Sequence, residues 1–132
     1  IYHAGWYPDY TLRLVKKQTS HFTEDIVHEK MMVVGSIGKL SNHFLHYPYK
    51  DTSHHLQKIN TYSSLSAEKM FDNGRHVSWS MIVLKAIFGF TRSYIFRRGF
   101  LDGWPGLIVS ISTGLSTYLK YLKLKELRIS KK

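Results

Sequence analysis

The strongest constraint on this chain is an apolar helical pattern over residues 77–127. Apolar side chains cover almost every face of 77–98, and a similar pattern resumes at 104. Gly99 and Gly103 bracket the break, and Pro105 suits the first turn of a helix, where its missing N–H costs nothing. The pattern predicts two consecutive helices joined by a short turn.

The predicted secondary structure changes from strands and loops to helices near residue 51. Residues 52–71 show helical periodicity, and Thr52 or Ser53 is a suitable N-cap. Residues 1–50 instead predict short strands and loops, for example the alternating segment 11–15 and the β-prone segment 31–34. We therefore expect an α/β chain with two parts, 1–50 with strands and 51–132 with helices.

The uncharged stretch 104–119 raises the question of a membrane. It has 16 residues, whereas a spanning helix needs about 20 apolar ones. The helix over 77–98 carries Lys85 and Arg92. Both helices fit an element that lies in the membrane interface. The alternative is that they form the core of a soluble domain.

The net charge of +10 is concentrated in the last third of the chain. Residues 1–84 carry 9 Lys and Arg against 7 Asp and Glu, and residues 85–132 carry 10 against 2. Such a basic end suits an anionic membrane surface or a nucleic acid. Nucleic-acid binding is disfavoured because the aromatic residues sit within apolar runs and do not alternate with basic ones. The absence of cysteine excludes disulfides and thiolate metal sites.

Two histidine-containing clusters are candidates for chemistry. In the first, Asp25, His28 and Glu29 lie close in sequence, and a carboxylate beside a histidine can act as a general base toward a hydroxyl. The alternative is a solvated acidic turn. In the second, His43 and His46 would face opposite sides of a strand, so they would not chelate one metal together. One of them can still join carboxylates from elsewhere in a metal site.

Two further clusters suit phosphate or sugar. His54 and Lys58 share a helix face, which can bind such a ligand or can simply be surface. The ten residues 97–106 hold two arginines, three glycines, Asp102 and Trp104. Arginine binds phosphate bidentately and tryptophan stacks on sugar rings or sits at a membrane interface, so we favour a functional role over a structural hairpin.

In order along the chain, these clusters resemble the bacterial family 2 glycosyltransferases of lipopolysaccharide core biosynthesis. The resemblance covers nearly the whole chain, and its most specific stretch is RGFLDGWPG over residues 98–106. The other stretches are Trp6-Tyr7-Pro8-Asp9, Leu12-Arg13-Leu14, Val27-His28-Glu29, Leu45-His46-Tyr47 with Tyr49, His55, Lys58-Ile59-Asn60 and Tyr62-Ser63.

The resemblance implies a GT-A type fold, a nucleotide-sugar donor, a divalent metal (Mg or Mn) and inversion at the anomeric carbon. It makes Glu29 the expected catalytic base, with Asp25 as a rival and His28 orienting Glu29 or contacting donor phosphate. His46 is the expected metal ligand. The expected substrate-binding residues are Arg13, Trp6, Arg97, Arg98, Asp102 and Trp104.

One departure from the family pattern is the absence of an Asp-x-Asp metal motif in the chain. We expect this sequence to be the C-terminal portion of the enzyme, inactive without a nucleotide-binding half. The expected acceptor is a lipid-linked or lipopolysaccharide-core hydroxyl, and the expected location is the cytoplasmic face of the bacterial inner membrane. The alternative is a non-enzymatic membrane-surface or partner-binding module.

Overall fold

Three helices dominate the computed structural model, which describes residues 1–23, 31–42 and 47–131. Helix α1 is Thr52–Asp72, α2 is Trp79–Thr91 and α3 is Gly103–Ser130. The three predicted helices are thereby confirmed. The N-cap of α1 is Asp51 and not Thr52 or Ser53, because the Asp51 carboxylate accepts a hydrogen bond of 2.8 Å from the His54 N–H.

The strands are fewer than predicted. A 3-10 turn at Lys17–Thr19 leads into β1 (Ser20–Phe22), which pairs antiparallel with β2 (Met31–Val33) so that His21 faces Met32. The prediction of a strand over 31–34 is confirmed, but that over 11–15 is wrong. Its alternating pattern finds no strand to pair with among the described residues, and a strand without a partner leaves its backbone groups unpaired.

Helix α3 is the central element, since it packs against both α1 and α2. The buried apolar side chains of the described residues are few, and all but Ala4 come from the three helices: Ile59, Ala67, Ile82, Val109 and Leu124. Helices α2 and α3 approach each other closely at Gly114. A Cβ on this glycine would lie 3.3 Å from the Ala86 carbonyl oxygen. The core is therefore a narrow seam along α3, and it leaves the outer faces of the helices exposed.

A lysine links α3 to α1. The Lys123 ammonium donates to the Asn60 carbonyl oxygen and Oδ1 and to the hydroxyls of Ser63 and Ser64, at 2.7–2.8 Å. An ammonium has three protons, so these four oxygens share them. Ser63 is buried. The lysine thus supplies hydrogen-bond donors at a polar spot in the interface between the two helices.

We expect Lys123→Ala to lower the free energy of unfolding by about 2 kcal/mol, because it removes charge-assisted hydrogen bonds, one of them to the buried Ser63 hydroxyl. Urea unfolding followed by circular dichroism measures this. The matched control is Lys125→Ala, where the lysine Nζ lies 5.6 Å from the Trp79 ring centroid, a contact worth at most about 1 kcal/mol at an exposed site. Equal losses in the two variants would contradict the role assigned to Lys123.

The connection between α2 and α3 is compact and irregular. Helix α2 continues into a π-helical turn, Arg92–Phe96, and Arg98 then takes a left-handed conformation with φ of 55°. A 3-10 turn, Gly99–Asp102, leads directly into α3. Gly106 packs on this turn so closely that a Cβ there would overlap the Gly99 carbonyl oxygen. Gly99 and Gly106 of the predicted 97–106 cluster therefore have a packing role, whereas a Cβ on Gly103 would meet no atom within 4 Å.

Candidate functional site

The N-terminal segment docks on the turn between α2 and α3 through Asp102. The Asp102 carboxylate accepts from the Tyr2 N–H at 3.2 Å and the His3 N–H at 2.7 Å, and it lies 2.9 Å from His3 Nδ1. The Asp102 side chain is only 9% exposed. Sequence reasoning placed Asp102 among the substrate-binding residues, whereas the structure shows its oxygens engaged by the chain itself.

A row of buried polar groups extends this docking inward. Ala4 is buried, and its N–H donates to the Arg97 carbonyl oxygen at 3.0 Å. The Ser93 hydroxyl donates to the Ala4 carbonyl oxygen at 3.3 Å, and Ser110 Oγ lies 3.1 Å from Ser93 Oγ. These bonds connect the N-terminal segment to α2 and α3, so they fix where Trp6, two residues further on, can lie.

The environment of Asp102 sets its protonation. Burial alone raises the pKa of this carboxyl. Hydrogen bonds from the His3 side chain and from the backbone N–H groups of His3 and Tyr2 act in the opposite direction, as does the charge of His3. The net effect lowers the pKa below its ordinary value of 3.8. The ionised form is thus favoured by the docked N-terminal segment. The contribution to stability is present above the unfolded pKa and is lost as the pH falls through the lower folded value.

We expect Asp102→Asn to lower the melting temperature at pH 7 by about 4 °C, because hydrogen bonds to a carboxylate are worth about 1 kcal/mol more than those to an amide. The difference from the wild type should begin to shrink below pH 3.8, where the unfolded carboxyl becomes protonated, and should vanish at the lower pH at which the folded carboxyl is protonated too. Thermal unfolding by circular dichroism across pH 2–7 measures it. Asp9→Asn, at an exposed carboxylate, is the control, and a pH-independent difference for Asp102→Asn would contradict the assignment.

An aromatic cavity of about 300 Å³ lies where the docked segment meets the N-terminal ends of α1 and α3. The Tyr49 ring stacks on the His55 ring with centroids 3.9 Å apart and planes at 20°, and the Trp6 ring lies 6.1 Å from Tyr49. The cavity is lined by Ile1, Trp6, Tyr47, Pro48, Tyr49, His55, Pro105, Ile108 and Val109. It is concave and largely apolar with a few polar groups, as small-ligand sites usually are.

The ring groups of this cavity are held uncharged. Burial lowers the pKa of His55, which favours the neutral imidazole. Burial, followed by the proximity of Tyr62, raises the pKa of Tyr49 and keeps its hydroxyl protonated. Lys58 lies beside these rings: its Nζ donates to the Pro48 carbonyl oxygen at 3.0 Å and lies 5.6 Å from the Tyr49 ring centroid. A neutral aromatic cavity with hydroxyl and imidazole groups suits a sugar ring better than a diphosphate.

The remaining predicted substrate residues are dispersed. Trp6 lines the aromatic cavity, and Arg97 lines a second cavity between α2 and α3. Arg98 and Arg13 are exposed, and Trp104 is 76% exposed at the start of α3. The structure therefore does not bring all of these residues to one cavity, although the Arg97 side chain packs against Gly5, the residue before Trp6.

The predicted catalytic and metal residues Asp25, His28, Glu29 and His46 lie outside the described residues. Across residues 1–23, 31–42 and 47–131 no group of three or more His, Asp or Glu side chains is placed to hold a metal ion. These described residues therefore do not make a metal site by themselves, and the metal stays a prediction.

Sequence reasoning left several lining residues out of the predicted site. Tyr49 and His55 were noticed in the sequence but not assigned to it, although their stacked rings form one wall of the aromatic cavity. Lys85 and Arg92 line the second cavity with Lys120, whereas sequence reasoning treats the first two as charges on an apolar helix and the third as part of the basic C-terminal end. The spacing of Lys85 and Arg92, seven residues apart on one helix face, was the available signal.

The outer surface of α2 is unusually apolar. The helix fully buries only Ile82, while Trp79, Val83, Leu84, Ile87 and Phe88 are 51–59% exposed. Phe96 in the following turn is 72% exposed. No helix within the described part of the chain has the length and hydrophobicity needed to cross a bilayer.

Comparison with known proteins gives one consistent result. The chain is 26% identical over 127 residues to an uncharacterised glycosyltransferase of Rickettsia typhi, an alignment that covers 89% of this chain and 44% of that protein. It is 25% identical over 126 residues to one of Rickettsia prowazekii, covering 89% and 43%. The chain thus spans less than half the length of these curated relatives. No family model and no solved structure matches it.

Proposed function

We propose that this chain is the acceptor-side, C-terminal portion of an inverting, metal-dependent glycosyltransferase of the family 2 type. The reaction moves a sugar from a nucleotide-sugar donor to a hydroxyl of a lipid-linked or lipopolysaccharide-core acceptor. Similarity to relatives named glycosyltransferases over 89% of the chain supports the general activity. The observation that carries the acceptor side is the aromatic cavity, in which three separate stretches of the family resemblance meet at Trp6, Tyr49 and His55.

The reaction we propose includes a single proton transfer. Glu29 removes the proton of the acceptor hydroxyl as its oxygen bonds to the anomeric carbon and the nucleoside diphosphate departs from the opposite face, which inverts the configuration. The resemblance gives His28 one of two roles, orienting Glu29 or contacting the donor phosphate. A divalent metal would supply charge for the leaving diphosphate, with His46 as its ligand from this chain. The described residues form no metal site, so we assign no step to the ion.

The aromatic cavity is the proposed place of an acceptor sugar. Trp6 and the stacked pair of Tyr49 and His55 offer ring faces on which the apolar side of a sugar packs, and neutral side chains avoid repelling it. Its volume of about 300 Å³ is at the small end for ligand sites, in keeping with one sugar ring. The exposed apolar side chains of α2 support the location proposed for the enzyme, on the cytoplasmic face of the bacterial inner membrane.

Product analysis tests this function. The full product of the gene that carries this chain is incubated with a sugar nucleotide, Mn or Mg, and a lipid A-core extract, and the glycolipids are analysed by mass spectrometry and by anomeric proton coupling in NMR. We expect an acceptor enlarged by one sugar, with the anomeric configuration opposite to that of the donor. A product that retains the donor configuration would contradict the inverting mechanism.

A second candidate is a non-enzymatic module that binds the membrane surface. The specific observation in its favour is the outer face of α2, where five large apolar residues are more than half exposed. Under this function the chain binds lipid vesicles, and no donor is consumed in the product assay. Catalysis by the full gene product would therefore decide between the two.

A further inference from the structure

A basic cleft between α2 and α3 has no role in the function proposed above. It has a volume of about 290 Å³ and lies apart from the aromatic cavity, with which it shares no lining residue. Four of its lining side chains carry a positive charge: Lys85, Arg92, Arg97 and Lys120.

The helix geometry explains why the charges converge. Lys85, Gly89 and Arg92 are spaced by four and three residues along α2 and its π-helical extension, so they share one face. Thr117 and Lys120 lie three residues apart on the facing side of α3. A Cβ on Gly89 would lie 3.0 Å from Thr117 Oγ1, which shows how closely the two helices approach at the floor of the cleft.

Among the described residues, no carboxylate neutralises the positive charges of this cleft. None of the four cations forms an ion pair with a carboxylate there. Lys85 and Lys120 instead flank the Tyr121 ring, with Nζ to centroid distances of 5.2 and 4.9 Å. Four like charges around one concavity repel one another, so their placement costs free energy unless an anion occupies the space.

The lining favours an anion that accepts several hydrogen bonds. The Thr113 and Thr117 hydroxyls donate back to backbone carbonyl oxygens at 2.8 Å, so the charged donors of the lining are its ammonium and guanidinium groups. Lys85 and Lys120 are half-buried, which reduces screening of their charge by water. Guanidinium groups bind phosphate oxygens in a bidentate manner, and a lysine adds a point charge.

We propose that the α2–α3 cleft binds a phosphate or diphosphate group, held by Lys85, Arg92, Arg97 and Lys120. The group comes either from a phospholipid headgroup or from a soluble diphosphate. Phe88 lines the cleft and is 59% exposed, so the cleft opens beside the apolar outer side of α2, where an acyl chain would lie. This binding site stands on its own residues and does not depend on the chain being a glycosyltransferase.

Two probes test the site on the 132-residue chain. Isothermal titration calorimetry measures binding of inorganic pyrophosphate, and flotation measures binding to phosphatidylcholine vesicles with and without phosphatidic acid. The test variant is Lys85→Gln with Arg92→Gln. The control variant, Lys16→Gln with Lys17→Gln, also removes two positive charges, from exposed lysines that do not line the cleft. Circular dichroism verifies that each variant is folded, and Arg97→Gln with Lys120→Gln replaces the test variant if it is not.

We expect the cleft variant to weaken at least one probe about tenfold or more, and the control to change it less than about twofold. Loss of pyrophosphate binding identifies a soluble diphosphate as a sufficient ligand. Loss of phosphatidic-acid binding alone identifies the lipid headgroup as the source. Equal weakening by the cleft and control variants, or no binding of either probe to the wild type, would overturn the proposal. None of these outcomes depends on turnover of a sugar nucleotide, so a failure of the cleft proposal would not contradict the proposed transferase function.

Discussion

Replacing Glu29 by Gln in the full gene product is expected to lower acceptor-dependent sugar transfer by about 100- to 10,000-fold. The amide is nearly isosteric but cannot accept the acceptor proton, and a positioned general base contributes about that factor. Initial rates of glycolipid formation measure the loss. The donor should still bind, so its KM should change much less than kcat.

Asp25→Asn is the matched control, because it removes a carboxylate from the same segment. We expect this variant to keep most of its activity. If Asp25→Asn abolishes transfer and Glu29→Gln does not, the base is Asp25. A lower kcat with an unchanged donor KM in either variant supports general-base chemistry. Full activity in both variants would contradict it.

Gly106→Ala is expected to destabilise the fold by about 3 kcal/mol, because the added methyl has no room beside the preceding turn. Its Cβ would overlap the Gly99 carbonyl oxygen and lie 2.9 Å from the carbonyl carbon, and backbone atoms cannot move aside as a flexible side chain can. Alanine is intrinsically favoured over glycine within a helix by about 1 kcal/mol, so the sign of the effect is informative. Urea unfolding measures it.

Gly38→Ala is the control, because no atom lies within 4 Å of a Cβ at that position. We expect a change of about 0.5 kcal/mol or less there. A Gly106→Ala variant as stable as the wild type would contradict the close contact between α3 and the Gly99–Asp102 turn. That contact holds the turn on which the N-terminal segment docks, so its loss should also expose Trp6 to a fluorescence quencher.

The helices of this chain could be predicted from the sequence because their signals are local. Periodicity over 52–71 corresponds to α1, and Pro105 lies in the first turn of α3 as expected. The strand over 11–15 failed because an alternating pattern specifies a strand only when a partner strand is available. The start of the chain is instead held at Tyr2 and His3 by Asp102, about one hundred residues away, and no local sequence pattern predicts such a contact.

The candidate site was harder to predict for the same reason. Trp6, Tyr49 and His55 are distant in sequence, and their meeting depends on the docking of the N-terminal segment. The 97–106 cluster was read as functional, and the structure gives Gly99, Gly106 and Asp102 a packing or docking role. Arg97 and Trp104 keep exposed side chains, and substrate binding by them stays a prediction.

The central claim is that this chain supplies the acceptor side of a nucleotide-sugar transferase. Release of nucleoside diphosphate by the full gene product, measured with and without a lipid A-core extract across a panel of sugar nucleotides, tests it most directly. We predict that one donor gives release that rises at least about tenfold with the acceptor and that Trp6→Ala reduces this rise without changing release in the absence of acceptor. No release from any donor, or release indifferent to the acceptor, would contradict the account.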